Sequence, residues 1–252
     1  MKNTHQNTLS KVPEVTFIFW MIKIAATTLG ETGGDAVSMS MNLGYLLGTL
    51  IFAIFFFVFV IAQIRAQSFH PALYWLTIIA TTTVGTTLAD FADRSLGIGY
   101  TGGSSILLVL LMLSLIIWHR TMGSISVSSI NSPTSEMFYW ITIMFSQTLG
   151  TALGDWTADT QGLGYLGSAV IFGMLLGLVT LCHCYTKVSK TILFWIAFIL
   201  TRPLGAVLGD LLDKPLDHGG LALSRYSASI VLIVAMVILI KFFPQKASDH
   251  QH

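Results

Sequence analysis

The chain has 252 residues, 54% of them apolar and only 10% charged, with a formal net charge of +1. Soluble domains carry roughly 25% charged residues, so a water-soluble globular protein is excluded. The near-zero charge also gives no basic field for binding nucleic acid. What remains is an integral membrane protein whose main surroundings are the lipid bilayer.

Apolar stretches long enough to cross a hydrocarbon core of about 30 Å recur along the whole sequence. The polar segment 1–13, which includes Lys2 and Lys11, has no small-residue cleavage pattern, so the first span is expected to be retained. Eight spans are predicted, over 14–36, 43–64, 71–92, 99–119, 136–157, 164–184, 190–212 and 221–243. The Ser-rich stretch 123–133 reads as a linker and 244–252 as a tail too short to fold alone. Cys182 and Cys184 flank His183 at the end of the sixth span. Residues two apart do not share a helix face, so small interfacial residues explain them better than a metal clip.

The spans repeat. Trp20, Trp75, Trp140 and Trp195 are each followed, without gaps, by a glycine ten residues on (Gly30, Gly85, Gly150, Gly205). An aspartate follows at fifteen (Asp35, Asp90, Asp155, Asp210) and a further glycine at twenty-four (Gly44, Gly99, Gly164, Gly219). The chain thus divides into four two-helix copies, 14–66, 67–122, 134–186 and 187–243. Because each copy crosses twice, all four insert in the same sense, as parallel repeats about an axis along the membrane normal. The predicted fold is an all-α transmembrane protein with pseudo-fourfold, or two-plus-two, symmetry.

Most basic residues lie at the termini and between copies, whereas Arg94, Lys214 and Arg225 flank loops within copies. The positive-inside rule then places both termini in the cytoplasm. The tryptophans read as an interfacial belt at that side. The aspartates stand about 22 Å higher at 1.5 Å per residue.

Steps of three or four residues keep to one helix face, and the odd-numbered spans carry a polar face at positions 7, 11, 15 and 18 or 19 after the tryptophan. The four sets are Thr27, Glu31, Asp35, Ser38; Thr82, Thr86, Asp90, Asp93; Gln147, Thr151, Asp155, Asp159; and Arg202, Ala206, Asp210, Asp213. The even spans are almost uniformly apolar. Four odd helices are therefore expected to form an inner ring with polar faces inward.

Intramembrane carboxylates line water, pair with cations or lose their charge, and oxygen-only surroundings favour hard divalent cations. Asp35, Asp90, Asp155 and Asp210 are the candidate metal ligands. Glu31, Thr27, Thr82, Thr86, Gln147, Thr151 and Arg202 complete the candidate ion site. Asp93, Asp159 and Asp213 are entrance acids, for which solvated loop positions are an equal alternative. Glu31 occurs only in the first copy and Arg202 only in the last, and a closed ring makes these copies neighbours, so the two are expected to pair beside Pro203. Lys23, on the same face, reads as a snorkelling lysine.

The pattern of one tryptophan, one Gly-Asp region and two spans per copy resembles a family of bacterial integral membrane proteins built of four tandem repeats of unknown function. The resemblance covers residues 11–243 and implies architecture and a place in the bacterial inner membrane. A looser likeness is to calcium/manganese exchangers, whose paired helices carry a Glu-x-Gly-Asp motif; "GETGGDA" has one residue more between Glu31 and Asp35.

The leading expectation is a transporter of a small cation, most simply a divalent metal such as manganese, with protons as the candidate coupling ion. No cofactor and no enzymatic activity are expected, and no Gly-rich nucleotide-binding motif is present. Three alternatives stand beside it. A cation channel is disfavoured by within-copy loops too short for a pore helix and filter. An intramembrane aspartyl hydrolase would use paired aspartates, but four equivalent ones exceed a dyad's need. A membrane binding or sensory module would bind without flux.

Overall fold

The computed structural model describes residues 10–248; Lys2 and the outer parts of both predicted tails lie outside the described residues. Eight helices are described: α1 Phe17–Asp35, α2 Gly44–Arg65, α3 Pro71–Asp90, α4 Tyr100–Met122, α5 Pro133–Asp155, α6 Gly164–Tyr185, α7 Lys190–Asp213 and α8 Arg225–Phe242. Six of them are long and apolar enough to cross a membrane. The helices α1 and α5 fall short of that standard because Lys23, Glu31 and Asp35 dilute the first, and a run of Ser, Thr and Gln the second.

Local chemistry sets the helix ends. Thr16 caps α1 by accepting from the Phe19 N–H. Ser132 and Ser135 cap α5 reciprocally, with Pro133 in its first turn, which is why that helix begins at Pro133 and not at 136. The helices α1, α3 and α5 do not stop at their aspartates. Each widens into a turn with i to i−5 bonds, Met41 N–H to Ala36 O, Leu96 N–H to Phe91 O and Gln161 N–H to Trp156 O. The chain then reverses through left-handed backbone at Asn42, Gly97 and Gly162 and again at Gly44, Gly99 and Gly164, positions at which glycine or asparagine is least strained.

The fourth copy departs from this plan. The helix α7 runs unbroken through Pro203 to Asp213 and stops before Pro215. The following segment folds back, with N–H groups of Leu221, Ala222 and Leu223 donating to the carbonyls of Leu211, Lys214 and Leu212. These bonds hold 221–223 out of α8, which starts at Arg225 rather than at 221.

The odd helices close a ring in which α1 packs against α3, α3 against α5, α5 against α7, and α7 against α1. Each even helix packs on the odd helix of the following copy: α2 on α3, α4 on α5, α6 on α7, and α8 back on α1. The copies are therefore interlocked and none is a self-contained hairpin. The even helices leave most of their apolar surface exposed, as lipid-facing helices do, while 72% of the best membrane-spanning window is buried in both α3 and α7.

Glycine permits the close approach between ring helices. A Cβ at Gly30 would meet the Thr82 side chain, one at Gly85 would meet Gln147, one at Gly150 would meet Arg202, and one at Gly205 would meet Thr27. In every case the position-10 glycine of one copy receives the position-7 side chain of the next. Replacing Gly205 by alanine is expected to cost about 1–3 kcal/mol through overpacking, read as a lower melting temperature in detergent. Gly177→Ala on α6, where nothing lies within 4 Å of the added carbon, is the control expected to melt at or slightly above the wild-type temperature.

Candidate functional site

Along the ring's interior, positions 3, 7, 11 and 15 of the four copies stack as layers, and all sixteen side chains are buried. The innermost closure lies one residue before the tryptophans. Phe19, Tyr74, Tyr139 and Phe194 each pack against the tryptophan of the next copy: Phe19 on Trp75 at 5.4 Å, Tyr74 on Trp140 at 5.8 Å, Tyr139 on Trp195 at 6.1 Å and Phe194 on Trp20 at 5.7 Å between ring centroids. The hydroxyls of Tyr74 and Tyr139 meet at 2.6 Å. This pinwheel seals the axis. The expected interfacial belt is thereby corrected, since Trp75, Trp140 and Trp195 are buried and Trp20 half-buried. Aromatic faces turned to one another gain more from packing than from the interface.

Outside the pinwheel, the two ends of the chain cross. The Ser248 N–H donates to Val12 O and the Glu14 N–H to Lys246 O. The Gln245 side chain accepts from Trp75 Nε1, and the linker carbonyl of Ile125 accepts from Trp195 Nε1. Lys11 binds the carbonyls of Gln63, Ile64 and Ala66 at the end of α2 and pairs with Glu136 of α5 at 2.5 Å. The axis is thus closed twice at its tryptophan end.

Arg202 dominates the middle of the ring. It is completely buried, and its Nη2 donates to Glu31 Oε2 at 3.0 Å and to the hydroxyls of Thr86 and Thr151. Its Nη1 reaches the Thr27 carbonyl at 3.5 Å. One side chain from the fourth copy therefore touches the other three. Thr86 also faces Glu31 Oε2 at 3.3 Å.

Above this layer lies the crown of aspartates. Arg94 bridges Asp90 at 3.0 Å and Asp155 at 3.2 Å. Lys214 bridges Asp210 at 3.0 Å and Asp35 at 2.6 Å. Arg225 bonds Asp213 at 2.5 Å and approaches Asp35 at 3.7 Å. Burial lowers the pKa of Lys214, but the carboxylates of Asp210, Asp35 and Asp213 outweigh it and raise the value above that of an ordinary lysine, so it stays charged. Carboxylate oxygens of Glu31, Asp35 and Asp90 lie within 4.8 Å of one another, and so do those of Asp35, Asp210 and Asp213.

The candidate residues are accordingly brought together around one axis, with two revisions. Asp93 and Asp213 are buried rather than solvated, and Asp159 alone of the entrance acids is exposed. Lys23 does not snorkel: it has no exposed surface, and its Nζ lies 4.2 Å above the Phe198 ring. Its register with Ile78, Ile143 and Phe198, at position 3 of their copies, turns it inward. Sequence reasoning missed Arg94, Lys214 and Arg225 as members of the site. The signal was present, because Asp93-Arg94 and Asp213-Lys214 occupy positions 18 and 19 of the second and fourth copies. Cys182 and Cys184 are free, half-buried and exposed respectively.

Four segments of the chain, 18–69, 73–124, 138–189 and 193–244, match the family described as Repeat of Unknown Function (DUF347). The chain belongs to the DUF347 repeat family. No curated protein and no solved structure matches it. In this DUF347 protein each matched segment carries one of the four register tryptophans, Trp20, Trp75, Trp140 or Trp195, with one ring helix and one outer helix; Trp118 and Trp156 are additional in the second and third.

Removing one partner of a buried ion pair leaves an uncompensated charge and costs about 3–5 kcal/mol. Arg202→Met is expected to destabilise the DUF347 protein on that scale in denaturant unfolding from detergent. The double variant Arg202→Met/Glu31→Gln is expected to recover part of the loss. Strictly additive losses in the two single variants would contradict the pairing.

Proposed function

We propose that this multi-pass membrane protein transports a small cation, with a divalent metal such as manganese as the favoured substrate. The observation that carries the reading is the charge imbalance at the crown. Glu31, Asp35, Asp90, Asp93, Asp155, Asp210 and Asp213 are seven buried acids facing four basic groups, Arg94, Arg202, Lys214 and Arg225. When all are ionised, three negative charges are left for mobile cations or protons. Oxygen ligands alone suit hard divalent ions.

The two carboxylate triads, joined at Asp35, are the binding positions. Lys214 and Arg225 pair with carboxylates of the same triads and act as tethered cations that an arriving ion displaces. Arg94, about a third exposed, and Arg225, a fifth exposed, mark the route to water at the aspartate end. The aromatic pinwheel and the crossed chain ends close the other side, as one state of an alternating-access cycle requires. The same closure argues against an open channel. Protons taken up by the crown carboxylates supply the coupling. The transporter sits in the bacterial inner membrane with its tryptophan end toward the cytoplasm, and it performs no covalent chemistry.

Proteoliposomes loaded with a manganese-sensitive dye test this. Asp35→Asn, in both triads, is expected to abolish uptake, and Asp90→Asn, Asp155→Asn and Asp210→Asn to reduce it at least about tenfold, a difference of about 1.4 kcal/mol. Unchanged flux in all four variants would overturn the proposal.

A further inference from the structure

A group of side chains in the Arg202 layer, and in the layer between it and the aromatic pinwheel, lies outside the two carboxylate triads. Lys23, Thr82, Gln147 and Arg202 are all completely buried. Within this group Lys23 Nζ, Thr82 Oγ1, both polar atoms of the Gln147 amide and Arg202 Nε have no hydrogen-bond partner among the described residues. Buried polar groups are satisfied in nearly every native structure, and four of them in consecutive layers of one axis call for a shared ligand.

Their chemistry selects it. An ammonium, an amide N–H, a guanidinium N–H and a hydroxyl offer mainly donors. A buried ammonium without a counter-charge is strongly disfavoured in a membrane interior. The carboxylate nearest in the stack, Glu31, is already bonded to Arg202 Nη2 at 3.0 Å. The remaining walls next to Lys23 are Ile78, Ile143 and Phe198, which carry no charge. The ring of Phe198 holds Nζ at 4.2 Å through its π face but supplies no compensating ion. A metal cation is repelled here by both Lys23 and Arg202.

We propose that this enclosed part of the axis binds one small monovalent anion, of the size and charge of chloride, held by Lys23, Gln147 and Thr82 with Arg202 Nε. The anion neutralises Lys23 and separates the aromatic seal from the Arg202–Glu31 pair. The site is distinct from the carboxylate triads, to which it is joined through the Arg202–Glu31 pair: its ligands lie at positions 3 and 7, whereas the triads lie at position 11 and beyond.

The test follows thermal unfolding of the full chain in detergent, free of divalent ions. Sodium chloride replaces sodium gluconate at constant ionic strength. Wild type is expected to gain roughly 5 °C with a saturable dependence on chloride, as for a ligand that binds the native state alone. Lys23→Met is expected to lose that gain. Gln147→Glu places a tethered carboxylate beside Lys23, so it is expected to fold, to melt no lower than chloride-free wild type and to ignore chloride. A shift of wild-type size in either variant would overturn the proposal, and so would a wild-type curve without saturation, which assigns the group to water alone. Because no metal is present, the outcome does not depend on whether the crown transports cations.

Discussion

Polar groups on the ring axis must be satisfied from within the ring, by other parts of the protein or by what it binds, because lipid cannot do it. Arg202 is where that constraint is met most completely. Its guanidinium binds Glu31 from the first copy, Thr86 from the second and Thr151 from the third. The pair at 3.0 Å closes the ring between its first and last members, the one junction not made by chain continuity. Removing it would leave two buried charges on neighbouring helices, whereas its presence fixes the register of all four. The position-10 glycines make this possible, since Gly150 leaves the room that Arg202 crosses.

The crown obeys the same rule with less strictness. Arg94 and Lys214 stand four residues after Asp90 and Asp210 in the second and fourth copies and reach across to Asp155 and Asp35 in the next. The first and third copies have Met39 and Asp159 at that position. The ring of helices is thus fourfold in backbone but twofold in charge. The bridges alternate with bare junctions, and the acids still outnumber the bases. In the proposed transport these are the cations that a substrate ion displaces, whereas Arg202 is bound by all three other copies.

The architecture was legible because repetition places residues in layers: the tryptophan, glycine and aspartate register predicts four copies and an inward polar face, and both are found. The Glu31 and Arg202 pairing followed from the same register, with the asymmetry between first and last copies as its signal. What periodicity could not supply is the chemistry opposite each face. Lys23 and the tryptophans look interfacial when each helix is considered alone, yet the ring turns Lys23 toward Phe198 and the tryptophans toward the Phe and Tyr rings of the neighbouring copies. The three crown cations read as loop charges along the sequence, yet the wide turn after α3 carries Arg94 back over the axis, Lys214 caps the end of α7, and Arg225 opens α8. The crossing of residues 10–15 with 244–248 joins opposite ends of the chain, which local pattern does not encode.

If Lys214 is a tethered competitor for the crown, its removal strengthens metal binding. Calorimetric titration of manganese into purified wild type and Lys214→Gln measures this directly, with Lys187→Gln, outside the ring site, as the control. Binding that tightens several-fold in Lys214→Gln alone is the predicted result. Affinity that is unchanged or weaker in Lys214→Gln would contradict a crown in which protein and substrate cations compete for the same carboxylates.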